Sequence, residues 1–272
     1  MSKGDPNVFV YLLIDNGLLN AVSASYTEET PDNRPAWLAP VYPERALAVS
    51  PLLVGIEAAN EAGDLDRAMR LMNARQPALH VSVIESALDI GQLAHHLGRF
   101  IFILDPEGKQ FTLRYADCAV LAALPEVLTP VQWAALTGPI VRWTIHHRSG
   151  ALVPLPSAAA TSAAPTPLCL DRDQLMALDE ASEPDHFIAK VNMMRNGEAL
   201  PGSAVEQHEW ALAARRAWRA AGNANPHILM FLTEAALVTK GSVLRRPEVA
   251  EFLAMNEVSA FRNKLRELVD DL

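Results

Sequence analysis

The chain has 272 residues, half of them apolar and a fifth charged, which is typical of a folded protein and excludes wholesale disorder. Its 32 acidic residues outnumber 23 basic ones, and the net charge of −9 argues against binding to nucleic acid or to an anionic membrane surface. The two cysteines, Cys118 and Cys169, lie far apart in no metal-binding spacing, so we predict no disulfide framework and a cytoplasmic location.

The first half of the sequence alternates strand and helix patterns. The apolar run Val8–Ile14 ends at the turn signal Asp15-Asn16-Gly17, and it predicts a strand buried on both faces rather than a signal peptide. Further strands are predicted at Leu52–Ile56, Leu79–Ile84 and Ile140–Ile145, with helices from Gly63 to Pro77 and from Leu88 to Leu97.

A β-hairpin is predicted later in this half. The segments Phe100–Leu104 and Phe111–Tyr115 flank a five-residue loop that contains Pro106 and Gly108. The stretch Thr129-Pro130-Val131-Gln132 then predicts a helix start with a capping box and proline at the first helical position.

The segment Gly150–Pro167 differs in kind, because it consists largely of Ala, Ser, Thr and Pro and carries no charge. Its prolines forbid a regular helix, so it is predicted to be a linker or an extended segment laid over a surface. Beyond it the patterns are helical, with a second capping box at Ser203–Glu206, a helix start at Asn225-Pro226 and an amphipathic C-terminal helix.

These patterns predict an α+β protein. We expect an N-terminal mixed α/β lobe with a β-hairpin over residues 1–149, followed by a Pro/Ala/Ser-rich linker over residues 150–170. An all-helical C-terminal lobe over residues 171–272 completes the prediction.

No motif in the sequence predicts catalysis, a metal ion or a cofactor. The pairs His95-His96 and His146-His147 are adjacent in sequence, and neighbouring side chains on a helix or strand do not point the same way. Gly-x-Ser-x-Gly, Ser-x-x-Lys and P-loop patterns are absent from the sequence. Asp15, at a strand end, is the most enzyme-like carboxylate, and capping the turn at Asn16-Gly17 is the alternative that we favour.

Four residues are candidates for contact with a partner. Arg114 and Asp117 are close enough in sequence to form a bidentate pair that fixes the following helix, and Tyr115 lies between them. Arg and Tyr are also enriched at interface hot spots, so contact with a partner remains the other interpretation. Trp143 belongs to the alternating pattern of the last predicted strand and suits the core better than an interface.

The order of these segments resembles, over nearly the whole chain, a bacterial family first catalogued only as a domain of unknown function. Its members are adaptor chaperones of the type VI secretion system, which load toxic effectors onto the spike. The similar blocks are Tyr11–Asp15, Val41-Tyr42, Ser50–Val54, the residues Leu93, His96-Leu97 and Arg99, Gly108, Arg114–Leu121, Gly138-Pro139 and Trp143. The chain departs from the family pattern at Ala116, Cys118 and Ala119, which replace an aromatic residue, a proline and an arginine.

The resemblance implies a non-catalytic cytoplasmic adaptor that binds a type VI effector and helps load it onto the VgrG spike or its tip. We expect such a chain to be a monomer when unbound. Two alternatives stay open: a small α/β hydrolase or transferase that uses Asp15 and a histidine, and a purely structural subunit of an envelope machine.

Overall fold

The computed structural model describes residues 8–22, 24, 26–27, 33–42, 44–158, 166–195, 198–255 and 257–271. The chain forms two compact units, Met1–Asp179 and Glu180–Leu272. The first unit holds two β-sheets with helices, and the second contains helices and no strand among its described residues, so the predicted α+β class is confirmed.

The strands lie in the first unit and, in chain order, they are β1 (Phe9–Asp15), β2 (Leu38–Pro40), β3 (Pro51–Gly55), β4 (Val81–Ser86), β5 (Phe102–Leu104), β6 (Gln110–Thr112), β7 (Ile140–His146), β8 (Leu152–Pro154) and β9 (Leu168–Cys169). The helices of this unit are α1 (Asn16–Asn20), α2 (Ile56–Glu61), α3 (Leu65–Met72), α4 (Ile90–Gly98), α5 (Cys118–Leu121), α6 (Leu124–Val127) and α7 (Pro130–Thr137), with a 3₁₀ helix at Glu44–Val49. The next helix, α8 (Arg172–Met194), begins in the first unit and ends in the second.

The larger sheet of the described residues has six strands in the order β2-β3-β1-β4-β7-β8, and every neighbouring pair is antiparallel. Strand β1 lies inside it and is buried on both faces, as its apolar run predicted. Alternate side chains enter two cores. Leu13 packs in a cluster that includes Leu97 of α4, and Leu12 packs in a cluster that includes Leu19 of α1.

The predicted hairpin is confirmed, and its strands are shorter than predicted. Strands β5 and β6 pair antiparallel around a five-residue loop, in which Gly108 takes a φ of +79° that other residues rarely adopt. Strand β9 adds to the other side of β5 in parallel, which completes a three-stranded sheet in the order β6-β5-β9.

The segment predicted as a linker contains paired strands. Within residues 150–170, β8 pairs with β7 and β9 pairs with β5, while residues 159–165 lie outside the described residues. The two compact units divide between Asp179 and Glu180, inside α8, rather than within that segment. Pro154 and Pro156 are incompatible with a regular helix in the described residues 150–158, but short strands remain compatible with proline because each pairs with a single neighbour at a sheet edge.

The helices that begin in the second unit are α9 (Ala204–Ala220), α10 (Pro226–Val238), α11 (Glu248–Leu253) and α12 (Val258–Asp270). The predicted capping boxes at Thr129 and Ser203 are both present, and Asn225 caps α10. Helix α10 is buried along most of its length, which agrees with its nearly continuous apolar sequence. Among the described residues, no helix combines the length and apolar character needed to cross a membrane.

Candidate functional site

The candidate site centres on Arg114, which follows β6 and precedes α5. Its Nη2 atom donates a hydrogen bond of 2.9 Å to Oδ2 of Asp15, a residue 99 positions earlier in the chain. The Arg114 side chain is 50% exposed and that of Asp15 is 6% exposed. The ion pair therefore joins a buried carboxylate at the end of β1 to a guanidinium that still faces solvent.

Asp15 is held in place by the helix that follows it. Its Oδ1 atom accepts a hydrogen bond of 3.0 Å from the backbone N–H of Leu18, so Asp15 is the N-cap of α1. Both carboxylate oxygens are thus engaged, one in the cap and one with Arg114. The interpretation of Asp15 as a capping residue agrees with this geometry, and the ion pair is an addition to it.

Asp117 lies farther from the guanidinium than Asp15 does. One of its oxygens is 3.6 Å from Nη2 of Arg114, and its side chain also caps α5 by accepting from the backbone N–H of Ala119. Burial acts to lower the pKa of Arg114, but the neighbouring charges of Asp15 and Asp117 outweigh it and raise that pKa above its ordinary value. Arg114 is therefore a fixed cation between two carboxylates.

Two of the candidate partner residues are buried. Tyr115 has no exposed surface, and its hydroxyl donates 2.9 Å to the carbonyl oxygen of Leu97 at the end of α4. Trp143 is 3% exposed, donates from Nε1 to Oγ of Ser82, and stacks on Trp133 at a ring separation of 6.5 Å. Their side chains are therefore core residues in this fold, and only Arg114 of the four candidates presents a large exposed fraction.

The nucleophile-type and histidine side chains near Asp15 make structural bonds. The Sγ atom of Cys118 donates to the carbonyl oxygen of Val81, and burial raises the pKa of this thiol to about 12, so it stays protonated. His80 donates from Nε2 to the carbonyl oxygen of Leu71, and His146 bonds through Nδ1 to that of Val81. Burial lowers the pKa of His80, which keeps its imidazole neutral at pH 7.

No acid–base pair is assembled around Asp15 in the part of the chain that the structure describes. Its oxygens bond to Leu18 and Arg114, and neither bonds to a histidine ring. Within the same residues, no three His, Cys, Asp or Glu side chains come together in a way that could hold a metal ion.

The sequence predicted the separate parts of this site but not how they combine. It singled out Asp15, Arg114, Tyr115 and Asp117 individually, and it paired Arg114 with Asp117. The closer partner, Asp15, could not be found from local spacing, because the contact depends on how β6 and β1 are placed by the tertiary fold. The sequence signal that connects the two residues is that Asp15 and Arg114 both lie in blocks that resemble the adaptor family.

Comparison with known proteins gives a family match. Residues 10–135 match a family described as "Domain of unknown function (DUF4123)". The matched part is slightly less than half of the chain; it contains Asp15, Arg114, Tyr115 and Asp117, and it ends before Trp143 and the C-terminal helices. No characterised protein and no solved structure matches the chain significantly.

Proposed function

We propose that this chain is a non-catalytic adaptor of the type VI secretion system, which binds an effector and helps to load it onto the VgrG spike or its tip. The observation that carries the proposal is the match of residues 10–135 to the domain of unknown function. This region includes the blocks from Tyr11 to Leu121 through which the sequence resembles type VI adaptor chaperones.

The geometry of the site agrees with a binding role. The carboxylates, thiol and imidazoles around Asp15 are occupied by caps, an ion pair and bonds to backbone carbonyls. What the same region offers to solvent is the half-exposed guanidinium of Arg114 and the exposed strand β6 that leads into it. Such a surface suits contact with another protein better than turnover of a small molecule.

The test is a deletion of this gene in its own strain, followed by measurement of the product of the nearest candidate toxin gene, which the proposal takes to be the effector. An adaptor that shields an effector should be needed for effector abundance and delivery, so we expect both to fall and to return on complementation. Cytosolic abundance is measured by immunoblot, and delivery by killing of a susceptible competitor strain.

A complementing Asp15→Asn variant serves as the control for catalysis. Asn retains the capping role at a helix N-terminus but has no carboxylate to act as an acid or base. Full complementation by this variant, once its folded fraction is matched, is expected for an adaptor. Normal effector abundance and delivery in the deletion strain would rule the proposed function out.

A further inference from the structure

The outer strand edges of the two sheets are not equally open to a further strand. A strand edge can accept another strand only if it presents backbone N–H and C=O groups that point outward and have no partner. In an antiparallel ladder, alternate residues direct these groups to the paired strand and away from it. The direction at each edge therefore follows from the register and the flanking hydrogen bonds.

Both edges of the six-stranded sheet carry a proline at an outward position. In β2, Trp37 and Val41 direct their backbone groups to β3, through the bonds Gly55 N–H to Trp37 O and Val41 N–H to Pro51 O. By alternation, the backbone of Pro40 faces away from β3. In β8, Ala151 and Leu155 direct their backbone groups to β7, through the bonds His147 N–H to Ala151 O and Leu155 N–H to Trp143 O. The backbone of Pro154 therefore faces away from β7. Proline has no N–H, so each of these edges lacks a donor where an added strand needs one.

The β9 edge of the smaller sheet is covered in part. This strand has two residues, and the carbonyl oxygen of Cys169 accepts a hydrogen bond of 2.8 Å from Nε2 of Gln132 on α7. The outward carbonyl of this edge is therefore used within the fold.

The β6 edge is open. Lys109 and Leu113 bond to the β5 side of the hairpin, through Asp105 N–H to Lys109 O and Leu113 N–H to Ile101 O. By alternation, the backbone groups of Phe111 also face β5, whereas the backbone N–H and C=O groups of Gln110 and Thr112 point outward. All three β6 residues are exposed, and the outward groups make no hydrogen bond within the part of the chain that the structure describes. Among the described strands, β6 is the edge with neither a proline nor a covering helix.

The side chains beside this edge indicate what would pair with it. Phe111 is 39% exposed, and the Nζ atom of Lys109 lies 5.0 Å from the centre of its ring. Lys109 makes no ion pair within the described residues, whereas Arg114 at the other end of the same segment is paired with Asp15. An incoming strand with an apolar residue against Phe111 and a carboxylate opposite Lys109 would complement this edge.

We propose that β6 binds an extended segment of the effector as an added β-strand, with an acidic side chain of that segment opposite Lys109. This inference rests on the proposed function and names the surface and the chemistry of its partner. A second copy of this chain is a poor occupant, because an edge of three residues buries far less than the roughly 1,000 Å² that a stable interface needs. A flexible segment of a partner that is also held elsewhere does not need that area.

The test compares proline substitutions at two outward-facing positions. Thr112→Pro removes an outward N–H from the β6 edge and puts a ring in the path of an added strand. Leu152→Pro makes the same change on β8, at the edge that Pro154 already obstructs, and is the matched control. The probe is the product of the candidate toxin gene nearest to this gene, co-expressed with each full-length variant and measured for binding by titration.

We expect Thr112→Pro to weaken effector binding about tenfold or more, since at least one main-chain hydrogen bond and the fit of the strand are lost. Leu152→Pro should bind as the wild type does. Equal affinities for Thr112→Pro and the wild type would overturn strand addition while leaving the adaptor role intact. A wild-type chain that does not bind the effector would instead overturn the proposed function and this inference together.

A second measurement does not depend on variants that fold. Backbone amide exchange of the peptide that covers residues 109–113 is followed in the wild-type chain, alone and with the effector. Strand addition predicts strong protection of this peptide in the complex, and unchanged exchange would contradict it.

Charge reversal tests the acidic residue of the partner. Lys109→Glu should weaken effector binding. Lys190, which lies over the ring of Phe187 as Lys109 lies over that of Phe111, is the matched control, and Lys190→Glu should leave the affinity unchanged. Equal effects of the two substitutions on the affinity would refute an acidic partner residue opposite Lys109.

Discussion

The ion pair between Arg114 and Asp15 gives the first prediction at the scale of single residues. Replacing Arg114 with Met leaves the buried oxygen of Asp15 without its donor, so we expect the free energy of unfolding to fall by about 1–2 kcal/mol. Asp15→Asn retains the cap on α1 and removes the charge. Denaturant unfolding of the two single variants and the double variant should give a coupling of about 1 kcal/mol, and strictly additive effects would contradict a direct pair.

Tyr115 lies in the same block as Arg114 but has a different role. Because its ring is fully buried, Tyr115→Ala should lower the free energy of unfolding by about 3–5 kcal/mol. Tyr115→Phe keeps the ring and removes only the bond to the carbonyl oxygen of Leu97, so its effect should be about 1 kcal/mol. Thermal unfolding curves measure both. A Tyr115→Ala variant of wild-type stability that had lost its partner would show that the side chain is a contact surface instead.

The two cysteines should differ in reactivity toward an aromatic disulfide reagent at pH 8. Cys118 is buried with its pKa raised to about 12, whereas Cys169 is exposed. We expect one thiol to react rapidly in the native protein and both to react in denaturant. Cys169→Ala should abolish the rapid phase. A rapid phase that persisted in this variant would mean that Cys118 is accessible.

At the scale of secondary-structure elements, the indole of Trp210 on α9 lies against the turns that contain Gly202 and Gly241. Gly241, which follows α10, has a φ of +75°, and a Cβ atom added there would lie 2.8 Å from Cδ1 of Trp210. Gly241→Ala should therefore combine backbone strain with displacement of the indole.

Gly222→Ala is the matched control for that substitution, because its φ of +68° is similar and nothing lies within 4 Å of the added Cβ. We expect Gly222→Ala to destabilise the chain by about 1 kcal/mol and Gly241→Ala by at least 1 kcal/mol more. Urea unfolding distinguishes them. Equal losses of unfolding free energy in the two variants would mean that Trp210 moves aside at no cost in stability.

The elements that could be predicted are those whose signals are local. The helix starts at Thr129, Ser203 and Asn225 are specified within four residues by side chains that bond to nearby backbone groups. The central strand β1 is specified by its continuous apolar run. Each of these depends on chemistry within one short segment, which is why sequence alone was sufficient.

The elements that were missed depend on pairing between distant segments. Strands β2, β8 and β9 have two or three residues each, and their backbones are ordered by β3, β7 and β5 rather than by their own composition. The same limit hid the contact between Asp15 and Arg114, which joins residues 99 positions apart. Charge-free, proline-containing sequence in residues 150–158 therefore suggested a linker where the fold adds an edge strand.

At the scale of the whole molecule, the proposed adaptor role requires stoichiometric binding to a partner. The region matched to the domain of unknown function contains the Arg114 site and the open β6 edge, and both belong to the unit Met1–Asp179. Such an adaptor is expected to form a complex of defined composition with its effector.

The most direct measurement is the molar mass of the complex formed with the product of the nearest candidate toxin gene, determined by light scattering on a gel-filtration column after co-expression. The proposed adaptor role predicts one peak that contains both chains, with a mass equal to the sum of whole-number copies of each. It also predicts that Asp15→Asn gives the same peak. Separate elution of the two chains at micromolar concentration, with the effector folded and soluble alone, would contradict the proposed adaptor role.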